Sequence, residues 1–426
     1  MEHLPDKYLA HAKEASAQIN AAAKTLPLLR SVAWDDELRI KFLNDGTIPA
    51  PEYGHIETGE ARELIDAARK NLEGDHPVQL WLLRVCDTLT STIGLLQSRG
   101  TPEFFTHSRS LFGEPTALMI DGKTDVLNLA RHMDASLENL DFEKLVVDDY
   151  QETLSASEFA QRLRPRLKRH FGEDTPSVSI VSSLSAKAMA GSKRIRIRRG
   201  AEFTPRDVDQ LLQHEALVHS ATALNGRSQT NFPILGRAHA GTTEVQEGLA
   251  VFAEMISGAM DPRRFRRLAD RVLAIQMAIE GADFKEVFEF YLPRVGDADQ
   301  AYQNARRIFR GGVVSGGAPF TKDMVYLNGL LRVHNYMRSV VKLGRADLIR
   351  VAFTGKLDIE DLPALAYLAG KGELAPPKFM PPWAKDLRFL VSYLAYSSFL
   401  NQVKMPGFQR YYETALNGVP VVWDFT

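Results

Sequence analysis

A chain of 426 residues, 45% hydrophobic and 25% charged, has the make-up of a soluble globular protein able to bury a substantial core. Its 52 basic and 53 acidic residues leave a formal net charge of -1, which removes any global electrostatic case for nucleic acid or an anionic membrane surface. The single cysteine, Cys86, excludes an intramolecular disulfide, the start at Met1 lacks the apolar run of a signal peptide, and no stretch of about 18 apolar residues offers a membrane span. The expectation is a cytoplasmic protein with neither a membrane nor a nucleic-acid partner.

In chain order, Tyr8, Leu9, Ala12, Ala15, Ile19 and Leu26 keep the spacing of a surface helix. Helical patterns return at Glu60–Leu72 and at Val78–Ser98, where Trp81, Leu82, Val85, Leu89, Ile93 and Leu96 predict a buried helix broken by Gly100-Thr101-Pro102. Helical segments continue to about Leu140. The period then changes. Ser177–Ser183 and Lys193–Arg199 alternate apolar and polar residues, predicting two strands separated by a turn at Ala190-Gly191-Ser192. The alternating Arg and Ile of the second strand are expected at a charged sheet edge, a place also suited to receive an extended peptide.

Thr204-Pro205-Arg206-Asp207 announces a helix: Thr204 as N-cap, Pro205 at the first position, Asp207 completing a capping box. This helix runs to about Asn225-Gly226 and carries His214, Glu215 and His219. A glutamate directly after the first of two helix histidines lets one metal ion and one base share a site. The familiar histidine spacing is four residues, whereas here it is five. Positions five apart on a regular helix diverge by about 140°, too far for one tetrahedral zinc. A single-turn π-bulge between His214 and His219 is therefore predicted. The plainer reading is two surface histidines on an amphipathic helix.

A catalytic zinc wants three protein ligands and an open position. The next helix is predicted to start at Thr243 as N-cap, with Gln246 as the reciprocal partner and Val245, Leu249, Phe252 and Ile256 as its apolar stripe. Glu247 lies on a different face, beside Ala250, Val251 and Glu254, and Gly248 and Ala250 permit a close neighbour. Glu247 is the first candidate for the third ligand, His239 the second, with Glu244 and Glu254 behind. The plainer reading makes Glu247 a first-turn partner of the helix dipole. Glu215 would take a proton from a zinc-bound water as it attacks a carbonyl.

Helices are further predicted at Pro262–Ile279, Phe284–Leu292 and Ala298–Arg310. The Gly311–Pro319 loop reads as a flexible cleft wall, followed by a helix from Thr321 to about Leu343. Lys322 and Tyr326 share a helix face. Tyr326 is a candidate oxyanion donor, and Lys322 or Arg310 a candidate receptor for a substrate carboxylate. The plainer reading pairs Lys322 with Asp323.

Together, His214-Glu-Ala-Leu-Val-His219 and Gln246-Glu247-Gly248-Leu249-Ala250 resemble the QEGLA-motif proteins, a bacterial branch of the family that includes the microtubule-associated tyrosine carboxypeptidase of animals. Gly100–Phe104, Ser108–Pro115, Arg310-Gly311 and Phe320–Asp323 look like the same family. The resemblance implies a zincin-like metallopeptidase with zinc on His214, His219 and Glu247 and with Glu215 catalytic. The expected fold is α+β and mostly helical: a helical N-terminal region at 1–140, a zincin-like catalytic region with a small sheet at 141–345, and a helical C-terminal region at 346–426. The expected activity is zinc-dependent removal of C-terminal residues, aromatic or apolar by analogy, from peptides or protein tails. Tubulin itself is not carried over to this branch. The alternative is a non-catalytic regulatory or binding protein on the same scaffold.

Overall fold

Local capping chemistry sets most of the helix boundaries. In a computed structural model describing residues 3–138, 152–182, 184, 187–191, 193–400, 405–415 and 417, Ser155, Thr204, Asp261, Asp283 and Asp297 each accept a backbone N–H in the first turn of the helix they precede. The helices Pro262–Ile279, Phe284–Val295 and Ala298–Phe309 follow the sequence expectation closely. The helix Pro77–Gln97 buries Trp81, Leu82, Val85, Leu89, Ile93 and Leu96, the residues its spacing marked. The protein is mostly helical with one three-stranded sheet, an α+β architecture. Among the described residues, no helix is long and apolar enough to cross a membrane. Leu140, Ser183 and Ser192 lie outside the described residues.

The sheet departs from expectation. Strand β1 (Ser177–Val181) pairs in parallel with β3 (Arg194–Arg198), and a short strand β2 (Ala188–Ala190) pairs antiparallel with the other side of β3. The strand of alternating Arg and Ile is thus central, not an edge. Its alternation reports one dry face, with Ile195 and Ile197 buried, and one wet face. It carries no information on how many neighbours pair with the strand. Of the residues expected as a turn, Ala190 ends β2, whose three residues are too few to display a period, and Gly191 lies in the connection to β3, its N–H bonded to the Arg194 carbonyl.

Two hydrophobic clusters divide the interior. The larger takes in the N-terminal helices and the helices from Ala240 onward to Leu394. The smaller lies beneath the sheet and includes Phe159, Leu163, Ile195, Ile197 and Phe203. The histidine-bearing helix runs along the seam. Val208, Ala216 and Ala221 pack into the smaller cluster, while Val218 faces the larger one.

The helices Ala240–Ile256 and Val325–Lys342 cross where Gly248 meets Gly329. A Cβ at Gly248 would lie 2.3 Å from the Gly329 carbonyl carbon, and one at Gly329 would lie 2.2 Å from the Glu244 oxygen. Backbone meets backbone there, so neither side can yield locally. Gly248→Ala and Gly329→Ala are each expected to cost about 1–3 kcal/mol, read as a lower midpoint in thermal unfolding. An unchanged midpoint would contradict so tight a crossing.

Candidate metal centre

The helix holding His214 and His219 starts as the sequence predicts. The Thr204 side chain accepts from the Asp207 N–H, Asp207 answers at the Thr204 N–H, and Pro205 takes the first position. After one regular piece, Pro205–Leu211, the backbone widens into a π-helix over Leu212–Ser220 and returns to α geometry at Ala221–Arg227. The expected widening is present and longer than a single turn. Hydrogen bonds from residue i to i-5 stack side chains five apart, and the two imidazole centroids lie 4.8 Å apart.

Both rings face Glu247. Its Oε2 lies 3.4 Å from His214 Nε2 and 3.5 Å from His219 Nε2. Among the described residues, these three form the single group of histidine, cysteine and carboxylate donors close enough to hold a metal ion, with the donor atoms within 4.8 Å of one another. The helix carrying Glu247 starts at Ala240 with His239 as N-cap, four residues before the expected N-cap Thr243. The Thr243 hydroxyl instead donates to the His239 carbonyl, and Thr242 bonds to the His239 N–H. Glu247 therefore lies in the second turn, which removes the reading of a first-turn dipole partner. His239 caps the helix outside the cluster, and burial pushes its pKa down to about 4.

Charge balance at this cluster is tight. Burial would lower the His214 pKa, but Glu247 and Glu254 carry it up to about 10. Burial would raise that of Glu247, yet the two histidines and Lys322 hold it well below the usual carboxylate range. The cluster therefore calls for positive charge at its centre, as a proton or as a metal ion.

Glu254 is a role the sequence reading missed. It stands seven residues beyond Glu247 on the same helix face, and its Oε1 lies 2.6 Å from His214 Nδ1. Arg264 Nε and Nη2 donate to the Glu254 carboxylate at 3.0 Å each. The spacing of seven was the available signal. Glu215 is held from the side of the sheet: its Oε2 accepts the Ala190 N–H of the edge strand β2 at 2.7 Å.

A group of basic side chains borders the cluster, with Lys322 near enough to act on Glu247. Lys322 and Tyr326 come together as expected, the ammonium 5.5 Å from the phenol ring centroid. Lys322 lies 3.8 Å from Asp323, but the stronger partner of Asp323 is Arg307, which grips it through both Nε and Nη2. Arg307 also reaches Tyr326 Oη at 3.4 Å. Arg271, unforeseen from sequence, lies 4.2 Å over the Tyr326 ring. Arg310 sits over Phe320 instead, and burial lowers its pKa to about 10. Arg271 Nη1 and Arg310 Nε are buried with no hydrogen-bond partner among the described residues. The glycine loop beside Arg310 is packed rather than loose, since a Cβ at Gly311 would strike Phe104 and one at Gly316 the Gly281 carbonyl.

The chain is thus a mostly helical α+β protein in which two histidines and a glutamate converge as a donor set that could hold a metal ion. The family model of the microtubule-associated tyrosine carboxypeptidase matches residues 42–402, and the chain belongs to that family. Membership implies a carboxypeptidase. No curated protein gives a significant match to the chain.

Glu254→Ala would leave Arg264 buried opposite no carboxylate. The expected loss is roughly 3–5 kcal/mol, measured by denaturant unfolding of the metal-free protein. A loss under about 1 kcal/mol would mean that the Arg264 charge is balanced elsewhere.

Proposed function

We propose that this protein is a zinc carboxypeptidase with a zincin-like core, trimming C-terminal residues from peptides or protein tails. One observation carries the reading: a buried Glu247 oxygen with no hydrogen bond, placed 3.4 and 3.5 Å from two imidazole nitrogens. Tetrahedral zinc bonds of about 2.0–2.1 Å separate neighbouring donor atoms by about 3.4 Å. The donor set therefore fits the ion, with His214 Nε2, His219 Nε2 and Glu247 as the residues that would hold it. When bound, zinc would supply Lewis-acid polarisation and lower the pKa of a water.

The chain's own residues account for the rest. Glu254 accepts from His214 Nδ1, which leaves the Nε2 lone pair directed at Glu247 and the ion position. Glu215, steadied through Oε2 by Ala190, has Oε1 available to accept a proton from the attacking water and pass it to the leaving amine. The outer side of β2, next to Glu215, offers backbone groups to an extended tail. Lys322 and Arg271 are suited to receive the terminal carboxylate, and Arg310 has a further unbonded N–H. The Tyr326 hydroxyl, reached by Arg307, is the donor for the oxyanion. An aromatic or apolar final residue is the favoured substrate, by analogy with the family.

The purified protein is expected to carry one equivalent of zinc and, in peptide-library digestion read by mass spectrometry, to remove single C-terminal residues. Glu215→Gln is expected to keep the zinc and lose at least about 100-fold in trimming rate. A chain without zinc affinity, or a Glu215→Gln variant of unchanged rate, would overturn the assignment.

Substrate anchoring has its own test. Arg271→Met and Lys322→Met are expected to raise KM for peptides with a free C-terminal carboxylate, and C-terminal amidation should abolish cleavage by the unsubstituted enzyme. Equal cleavage of amidated and free peptides would remove the pocket's assigned role.

A further inference from the structure

Lys356 belongs to none of the motifs above, and the proposed chemistry does not use it. Its side chain is buried, at 8% exposure, and donates to the His219 carbonyl at 3.1 Å and to Gln246 Oε1 at 2.5 Å. Both acceptors are neutral. The Glu247 and Glu215 carboxylates act on this ammonium only through space, and its hydrogen bonds go to neutral oxygens, a poor return for desolvating a charge.

The backbone delivers this lysine with little freedom. The Lys356 N–H donates to the Leu235 carbonyl at 2.7 Å, and Asn225 Nδ2 donates to Phe353 O at 2.8 Å. At Gly355, a Cβ would lie 2.6 Å from the Leu235 oxygen and 3.2 Å from Gly226 Cα. Residues 353–356 are thus seated against the exit of the histidine helix, with no room to slide.

Gln246 completes the link. Its Oε1 also lies 2.8 Å from Thr222 Oγ1, three residues beyond His219, a hydroxyl shared with the Val218 carbonyl at 2.7 Å. Gln246 and Glu247 are consecutive. One is fastened to the backbone around His219 while the other faces the His219 ring at 3.5 Å. The His219 carbonyl also lies where the hydrogen-bond pattern changes from the wide helix back to α geometry, a junction that regular helix bonding leaves less constrained.

We propose that Lys356 is a positioning residue for the metal centre: through the His219 carbonyl and Gln246 it fixes the spacing between the helix carrying the histidines and the helix carrying Glu247. The proposal rests on the zinc reading above. It assigns Lys356 no contact with substrate.

Zinc dissociation constants of the full chain, measured against a competing chromogenic chelator, test it. Lys356→Met is expected to weaken zinc binding about 10- to 100-fold, as loss of an outer-shell partner does, and to shift the visible bands of the cobalt(II)-loaded protein. The unfolding midpoint of the metal-free variant should hold or rise, since a desolvated charge has gone. Gln246→Met, which cuts the same link from the acceptor side, should weaken zinc comparably, and the double variant should be no worse than either single one. Should Lys356→Met fail to fold, Gln246→Met carries the test. Zinc affinity unchanged in both variants overturns the proposal, as does a weakening fully matched by lost metal-free stability. If the unsubstituted chain binds no zinc, the metal reading fails first and this proposal falls with it.

Discussion

His214 and His219 stand five positions apart in the chain, and the surroundings of the centre are built to make that spacing usable. A regular helix would send the rings to different faces. The wide segment Leu212–Ser220 brings them together, but a π-helix is rarely stable alone and needs external support. Support arrives from both sides. The segment starts behind a reciprocal cap at Thr204, and it is flanked by two separate hydrophobic clusters that Ala216 and Val218 enter from opposite faces. The distortion is confined between two stretches of ordinary helix.

The same economy governs charge. Buried ions here occur mostly as pairs: Glu254 with Arg264, and Asp323 with Arg307. Each pair orients a third group, His214 in the first case and Tyr326 in the second. Arg271 and Arg310 retain unbonded N–H groups between these pairs. Desolvated donors without partners are costly, so the basic pocket is best matched by an anion from outside the fold.

Much of this was legible in the sequence, because it depends on neighbours in the chain. The Thr204 cap, the widened turn and the helices after Pro262 follow from local hydrogen bonding and side-chain periodicity. The three candidate ligands also meet in space as their motifs suggest. What escaped depends on partners far away in sequence. Whether Arg194–Arg198 is central or an edge is decided by β1 and β2, not by its own alternation. Glu254 stood among the trailing ligand candidates until Arg264 and His214 defined it as the partner of an imidazole. The N-cap moved from Thr243 to His239 because the Thr243 hydroxyl found the His239 carbonyl, a choice that composition alone leaves open.

The stretch Gln246-Glu247-Gly248-Leu249-Ala250 shows why a short motif can hold its residues so closely. Gln246 bonds toward the His219 backbone, and Glu247 faces both imidazoles. Gly248 removes the side chain that would keep Val325–Lys342 at a distance, and that helix leads directly back to Tyr326 and Lys322. Leu249 and Ala250 are buried in the larger core. One turn and a half of helix thus faces the histidines on one side, the basic pocket's helix on another, and the core on the third. A Cβ at Gly248 would displace the helix carrying Tyr326 relative to Glu247, and a positional error near 1 Å at a reacting group costs on the order of 100-fold in rate. The motif therefore reads as the joint that registers the candidate ligands against the helix carrying Tyr326 and against the core.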